Sequence, residues 1–293
     1  MKRSGLLLIV ILAGCLQPLS AQWTSWGGQA KDIAVHGGTV WVLGADNSIL
    51  SNSGGGWREY PGGGRGKAIT VAADGTPYVI GMYDGIHRGT GSGWVELPGG
   101  GRGKDLAVDG SGRVWVLGMD NAIYYHDGSR WVPYGDAGRG KRIAVSGNGT
   151  PWVIGMNDAI FLGPPLPGGV TSAAAASTSI AGKTELPGGG RGKDIAVDGR
   201  GRPWVIGMYD GIHYFDGSGW REYPGGGRGK DLAVDGSGRV WVLGMDNAIY
   251  YHDGSRWVPL SGGERGLRIS AARSGEVFVI GLGNEIGLHR LRH

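Results

Sequence analysis

Arginine recurs in this chain inside near-copies of one segment, Gly-Gly-Gly-Arg-Gly-Lys in its fullest form, at Arg65, Arg102, Arg139, Arg191, Arg228 and Arg265. Short polar turns alternate with it: Ala45-Asp46-Asn47, Met82-Tyr83-Asp84, Met119-Asp120-Asn121, Met156-Asn157-Asp158, Met208-Tyr209-Asp210 and Met245-Asp246-Asn247. A guanidinium offers a planar fork of donors, and Asp and Asn offer acceptors. Such a set suits the hydroxyls and carboxylates of a sugar, with a nearby Tyr or Trp as a flat apolar surface. The candidate ligand-binding residues are therefore these arginines with Asp84, Asp120, Asn121, Asp158, Asp210, Asp246 and Asn247. A structural alternative stands beside this one. Asp and Asn before Gly are favoured by turn geometry alone, and Arg and Asp can pair with each other to pin neighbouring units.

Other chemistries find less support. His126 and His252 have no Cys, Glu or His at metal-ligand spacing, so neither a metal nor a cofactor is expected. Gly110-Ser111-Gly112 lacks the strand-to-helix context of a strained nucleophile. Catalytic sites are usually asymmetric and these units are nearly alike, so the expectation is that the chain is no enzyme. The net charge is +4, with 29 basic and 25 acidic residues. It contains no run of like charge, which argues against nucleic acid.

The elements that must position these residues come from a repeat. The run Lys31-Asp32-Ile33-Ala34-Val35 returns at Lys67, Lys104, Lys141, Lys193 and Lys230, and in worn form at Leu267. The steps are 36, 37, 37, 52, 37 and 37 residues. A period of this size marks an array or a closed ring. Within the unit that begins at Lys104, residues 104–108 form an apolar run and 109–112 a turn. Residues 113–117 (Arg-Val-Trp-Val-Leu) are β-branched and aromatic, 118–121 turn again, 122–125 extend, and 130–134 form a fourth extended run. Four short antiparallel strands per unit make a β-propeller blade. Helical repeats of similar length need apolar residues at 3.6 spacing, which these units lack.

The chain ends predict how the ring closes. The last unit has three strands and stops, while Trp23-Thr24-Ser25-Trp26 precedes the first unit. Read as the missing outer strand, this segment closes the ring and removes a free edge. The fold expected is thus all-β, a seven-bladed propeller of four-stranded antiparallel blades closed by its N-terminal strand. Residues 183–186 serve as the degenerate fourth strand of unit four. The mid-strand tryptophans Trp41, Trp115, Trp152, Trp204 and Trp241 are expected in the core between blades. Residues 104–133 are identical to 230–259, the mark of a duplicated multi-blade block. Glycine, 63 of 293 residues, is about three times its usual share and falls between the strands.

With these residues in view, the pattern Asp-Ile-Ala-Val…Gly-x-x-Trp-Val-Ile-Gly…Ile-Tyr…Gly-x-x-Trp at 105–131, 194–220 and 231–257 resembles the tectonin repeats. The resemblance spans residue 22 to about 289. It implies a β-propeller, and often a lectin that recognises bacterial lipopolysaccharide or modified surface glycans. Unit four departs from the pattern by lacking its outer Trp, and unit seven by lacking the Lys that follows Arg265-Gly266. The function expected is multivalent carbohydrate binding at a bacterial envelope. The alternative is a protein–protein scaffold there with an envelope protein as partner.

Residues 1–21 read as a secretory signal: Lys2 and Arg3 precede an apolar stretch too short to span a membrane. Leu12-Ala13-Gly14-Cys15 resembles a bacterial lipobox, which would place lipid on Cys15, the chain's one cysteine, and anchor an outer-membrane lipoprotein through lipid alone. Cleavage after Leu19-Ser20-Ala21 would instead release a periplasmic or secreted protein. The propeller then occupies 22–293, with a low-complexity insertion at 163–183 that accounts for the 52-residue step and reads as a flexible loop.

Overall fold

The computed structural model describes residues 22–135, 138–166, 184–186 and 190–290. Among them every regular element is a strand. The strands form five four-stranded antiparallel sheets and one seven-stranded sheet. The larger sheet is two blades joined through one long strand, Gln22–His36. Its first part pairs with Glu285–Arg290, Thr24 opposite Leu288 and Ser25 opposite Gly287. Its second part pairs with Thr39–Gly44, Ile33 opposite Val42. Residues 22–25 thus supply the outer strand of the last blade, as the sequence leads one to expect, and seven blades close into a propeller. Numbered in order, the blades comprise residues 30–59, 66–96, 103–133, 140–162 with 184–185, 192–222, 229–259, and 266–290 with 22–25. The worn fourth strand of blade four, Thr184–Glu185, pairs with Ile160–Leu162. The 1–21 segment with Cys15, and the insertion beyond residue 166, lie outside the described residues.

The second strand of each blade is buried along its length, as in Val114–Gly118 and Pro203–Gly207, save for the half-buried Thr39 that opens it in blade one. A strand sandwiched between two neighbouring blades has no solvent face, which is why it is written as a continuous apolar run. A cluster of buried apolar residues fills each interface between blades. Between blades three and four, Trp115, Leu117 and Tyr134 meet Ile143 and Val153. Trp41, Trp115, Trp152, Trp204 and Trp241 are all buried there. Truncating such a residue to alanine costs about 3–5 kcal/mol. Asp109, Asp198 and Asp235, buried in the first turn of their blades, each accept the indole N–H of the same blade's tryptophan at 3.2 Å. Blade four has Ser146 at that place, and the Trp152 indole N–H has no hydrogen-bond partner among the described residues.

The first strands touch one another in sequence around the axis, and the last touches the first. The residue after each repeated Lys faces this inner ring: Asp32, Ala68, Asp105, Arg142, Asp194, Asp231 and Arg268 in blade order. Asp32, Asp105 and Asp231 each accept a backbone N–H from the next blade, from Ile69 (3.1 Å), Ile143 (3.0 Å) and Ile269 (2.9 Å). Arg268 lies 3.7 Å from Asp32. Burial raises the carboxyls of Asp32, Asp105 and Asp231 above their ordinary range. For Asp231 the like charge of Asp194 adds to the burial.

This pair has a pH consequence. A carboxyl whose folded pKa is raised binds a proton that the unfolded chain has lost. Its stabilising contribution is therefore complete below the unfolded value and is lost as pH rises through the folded one. Asp194→Asn removes the opposing charge and offers a donor to Asp231. Measured by thermal unfolding, this variant should gain stability relative to the parent at about pH 7 and little at about pH 4. An equal shift at both pH values would show that the two carboxyls do not interact.

Candidate functional site

The antiparallel strands bring the turn between the second and third strands to the same face as the linker from one blade to the next. All the candidate arginines and acceptors lie on this face. The turn residues Asp84, Asn121, Asp158, Asp210 and Asn247 have φ between 67° and 68°. Asn and Asp tolerate this left-handed conformation better than other residues with a side chain. Each then accepts a hydrogen bond from the repeated lysine of its own blade: Lys67–Asp84, Lys141–Asp158 and Lys193–Asp210 at 2.6 Å, Lys104–Asn121 and Lys230–Asn247 at 2.8 Å.

Each arginine reaches back over the preceding blade or its own linker. Arg139 and Arg265 donate to the carbonyls of Asp120 and Asp246, Arg191 to that of Asn157, and Arg228 to that of Tyr209 at 2.6 Å. Arg65 pairs with Asp46 and Glu59, both at 3.1 Å, and Arg102 with Glu96 at 2.6 Å. Asp120 accepts the Ala122 N–H and the Tyr124 hydroxyl, both at 3.0 Å, and the first of these chiefly holds its carboxyl below the usual range. The structure therefore brings the candidates together and also gives each one structural work. These pairs lie at the surface, where water screens them and each adds little to stability.

The linker glycines have a separate cause that the turn reading does not reach. The tryptophan of a fourth strand lies flat on the linker that leads into its own blade. A Cβ on Gly101 would stand 2.1 Å from Trp131 Nε1, and one on Gly190 or Gly227 would stand 2.2 Å from Trp220 or Trp257 Nε1. These glycines serve close approach, not positive φ. The indole N–H groups of Trp94, Trp131, Trp220 and Trp257 are buried without a hydrogen-bond partner among the described residues.

Where the linker meets the turn of blade two, a groove of about 620 Å³ opens between blades one and two. Its useful groups are Arg65, Tyr83, His87, Trp94, Glu96 and Arg102. Tyr83 is 90% exposed. His87 Nδ1 donates to the Gly85 carbonyl at 3.1 Å, which leaves Nε2 as an acceptor. The duplicated block supplies the same residues once more, Arg191, Tyr209, His213, Trp220, Glu222 and Arg228, between blades four and five. There Tyr209 is 84% exposed and His213 Nδ1 donates to Gly211 at 3.0 Å. Aromatic planes beside donors and acceptors of both kinds can hold a polar ring with one apolar face. His87, His213, Glu96 and the unpartnered indoles are absent from the residues singled out by sequence alone. So is a ring of exposed apolar side chains on this face, Met82, Met119, Met156, Met208, Met245 and Leu282. The signal for these residues was their recurrence at one offset from the glycine that ends each second strand.

No family model matches the chain, and no curated protein is similar to it in sequence. Solved structures do share its architecture. Virginiamycin B lyase from Staphylococcus aureus superposes with a TM-score of 0.66 at 16% identity, over 93% of this chain and 99% of that one. A streptogramin B lyase gives 0.66 at 15% identity, over 93% and 98%. YCF48 bound to D1 peptide gives 0.66 at 16% identity, over 93% and 97%. These likenesses establish the β-propeller fold. They also correct the expectation that the chain is no enzyme. That expectation rested on the symmetry of the ring, and the same ring carries lyases, so symmetry is no argument against catalysis.

The contact between linker and indole can be tested directly. Gly101→Ala should lower stability by about 1–3 kcal/mol, because the new methyl overlaps Trp131. Gly219→Ala meets nothing within 4 Å and should leave the melting temperature unchanged. Equal behaviour of the two variants in denaturant melts would remove the packing explanation for the glycine-rich linker.

Proposed function

We propose that the chain is a multivalent carbohydrate-binding protein of the tectonin type that acts through its arginine face. Its principal sites are the groove between blades one and two and the copy between blades four and five. The observation that carries this reading is the set of Tyr, His, Trp, Glu and two Arg around the groove between blades one and two, a set that the sequence repeats between blades four and five. A pyranose presents an apolar C–H face to an aromatic plane and a rim of hydroxyls to donors and acceptors. Two sites of one design on a rigid ring gain avidity on a repetitive surface without new contacts. Surface glycans, including lipopolysaccharide-type sugars, are the class of partner that the tectonin resemblance suggests.

A second reading has its own observation. The exposed ring of Met82, Met119, Met156, Met208, Met245 and Leu282 is an adaptable apolar surface of the kind that protein partners use. It favours an envelope scaffold. A glycan array followed by calorimetry separates the two. Tyr83→Ala and Tyr209→Ala, both on exposed side chains, should each weaken sugar binding about tenfold at their own groove. The double variant should lose retention on a glycan-coated surface. A flat array, together with a stoichiometric protein partner released by Met119→Lys and Met245→Lys, would establish the scaffold instead.

The Leu-Ala-Gly-Cys placement supports export with lipid on Cys15 as part of the same proposal. Cys15→Ser should move the protein from the membrane fraction to the soluble one. A mature N-terminus at Gln22 would show ordinary signal cleavage and a soluble protein.

A further inference from the structure

The blades repeat so closely that a departure in mid-strand stands out. On the side that looks toward the following blade, the second and third strands place two residues opposite each other. The pairs are Trp41 and Ser51, Trp115 and Tyr125, Trp152 and Leu162, Trp204 and Tyr214, Trp241 and Tyr251, and Phe278 and Leu288. In blade two the pair is Tyr78 and Arg88. Blade five matches blade two residue for residue from 205–213 against 79–87, yet keeps Trp204 and Tyr214. Within 78–88, compared with 204–214, the two blades differ only at the pair that faces blade three.

That pair borders a second groove, of about 470 Å³, between blades two and three. It opens beside the turns at 111–113 and 127–128, on the face opposite the arginine ring. The corresponding positions between blades four and five, with Trp152 and Leu162 in place of Tyr78 and Arg88, enclose about 180 Å³. A smaller ring and an outward-reaching side chain leave the extra space.

The charges differ as well. Between blades four and five, Arg202 is held by Asp198 at 3.1 Å. Between blades two and three, Asp109, the equivalent of Asp198, gives its oxygens to the backbone N–H groups of Ser111 and Arg113, the Ser111 hydroxyl and the Trp115 indole. The Arg113 guanidinium rests over the Tyr125 ring, 5.8 Å from its centroid. Neither Arg113 nor Arg88 has a carboxylate partner among the described residues. The carboxylates that line the groove are taken: Asp127 by Ser129 and Arg130, and Glu96 by Arg102 at 2.6 Å. His126 uses both ring nitrogens, accepting from Gly128 N–H and donating to the Pro98 carbonyl, each at 3.1 Å. Two guanidiniums without an ion-pair partner among the described residues thus line one cavity of small-ligand size.

We propose that this groove is a second binding site, which takes a compact oxyanion, carboxylate or phosphate, carried on a sugar-sized body. Arg88 and Arg113 provide planar donor forks for the anion. Tyr78 and Val95 provide apolar surface for the body. The site does not depend on sugar binding at the arginine face.

Calorimetric titration of the full chain with glucuronate, glucose 6-phosphate, inorganic phosphate and neutral glucose tests it, with Arg88→Tyr and Arg88→Gln as variants. Arg88→Tyr installs the residue that blades three, five and six already carry at this place, and its melting curve reports whether the ring is intact. One of the two anionic sugars should bind the parent, and both variants should weaken it about tenfold or more. Tyr83→Ala, on the other face, should leave that affinity unchanged. Preference for glucuronate would assign the anion as a carboxylate, and preference for glucose 6-phosphate as a phosphate. Inorganic phosphate binding as tightly as glucose 6-phosphate would overturn the sugar-sized body. Absence of binding by either anionic sugar, binding that Arg88→Tyr leaves intact, or loss of binding in Tyr83→Ala would overturn the site.

Discussion

A ring of twisted sheets is stable only when its last blade meets its first, and here one strand, Gln22–His36, belongs to both. Every other regularity follows from that closure. The rotation from blade to blade must be shared evenly, so each interface uses the same parts. At the axis, an aspartate in several blades accepts an N–H from the next blade. In the middle, an apolar cluster fills each wedge. At the rim, an indole clamps a glycine linker. Inner stitch, wedge and outer clamp act at three radii, and together they fix the angle between neighbouring sheets.

The frame is repetitive, and the chemistry sits where repetition is modulated. Tyrosine replaces Asp or Asn in the turns of blades two and five, which sets the same residue types on the arginine face twice, around an open groove between blades one and two. Arginine replaces tyrosine on the third strand of blade two, which gives one groove of another kind on the opposite face. The repeated arginines and acidic turn residues mostly serve the frame: lysines hold the turns, and arginines fasten linkers to them. A binding surface made this way needs few special residues, because the ring presents ordinary ones at fixed angles.

Much of the fold is legible in the sequence. The period of the Lys-Asp-Ile-Ala-Val run, the alternation of β-branched stretches with Asp-Gly turns, and the stray Trp23-Thr24-Ser25-Trp26 together implied blades, ring and closure. Strand polarity placed the arginines and the Asp or Asn turns on one face. Contacts between units were not legible. The role of Gly101 depends on where Trp131 lies, thirty residues further on. The interaction of Asp194 with Asp231 depends on which blades are neighbours at the axis. Tyr78 and Arg88 are visible as departures from the repeat, but only cross-strand pairing makes them one feature. The expectation against catalysis failed for a different reason: symmetry of a frame says little about the few side chains that would do chemistry on it.

Closure by the shared strand is the claim on which the whole arrangement stands, and amide hydrogen exchange on the intact chain tests it most directly. If residues 22–25 complete blade seven, their amides and those of 285–290 should be protected alike and should exchange with the global opening of the ring. Exchange of 22–25 at the rate of an unprotected chain, while the other strands of blade seven stay protected, would contradict it.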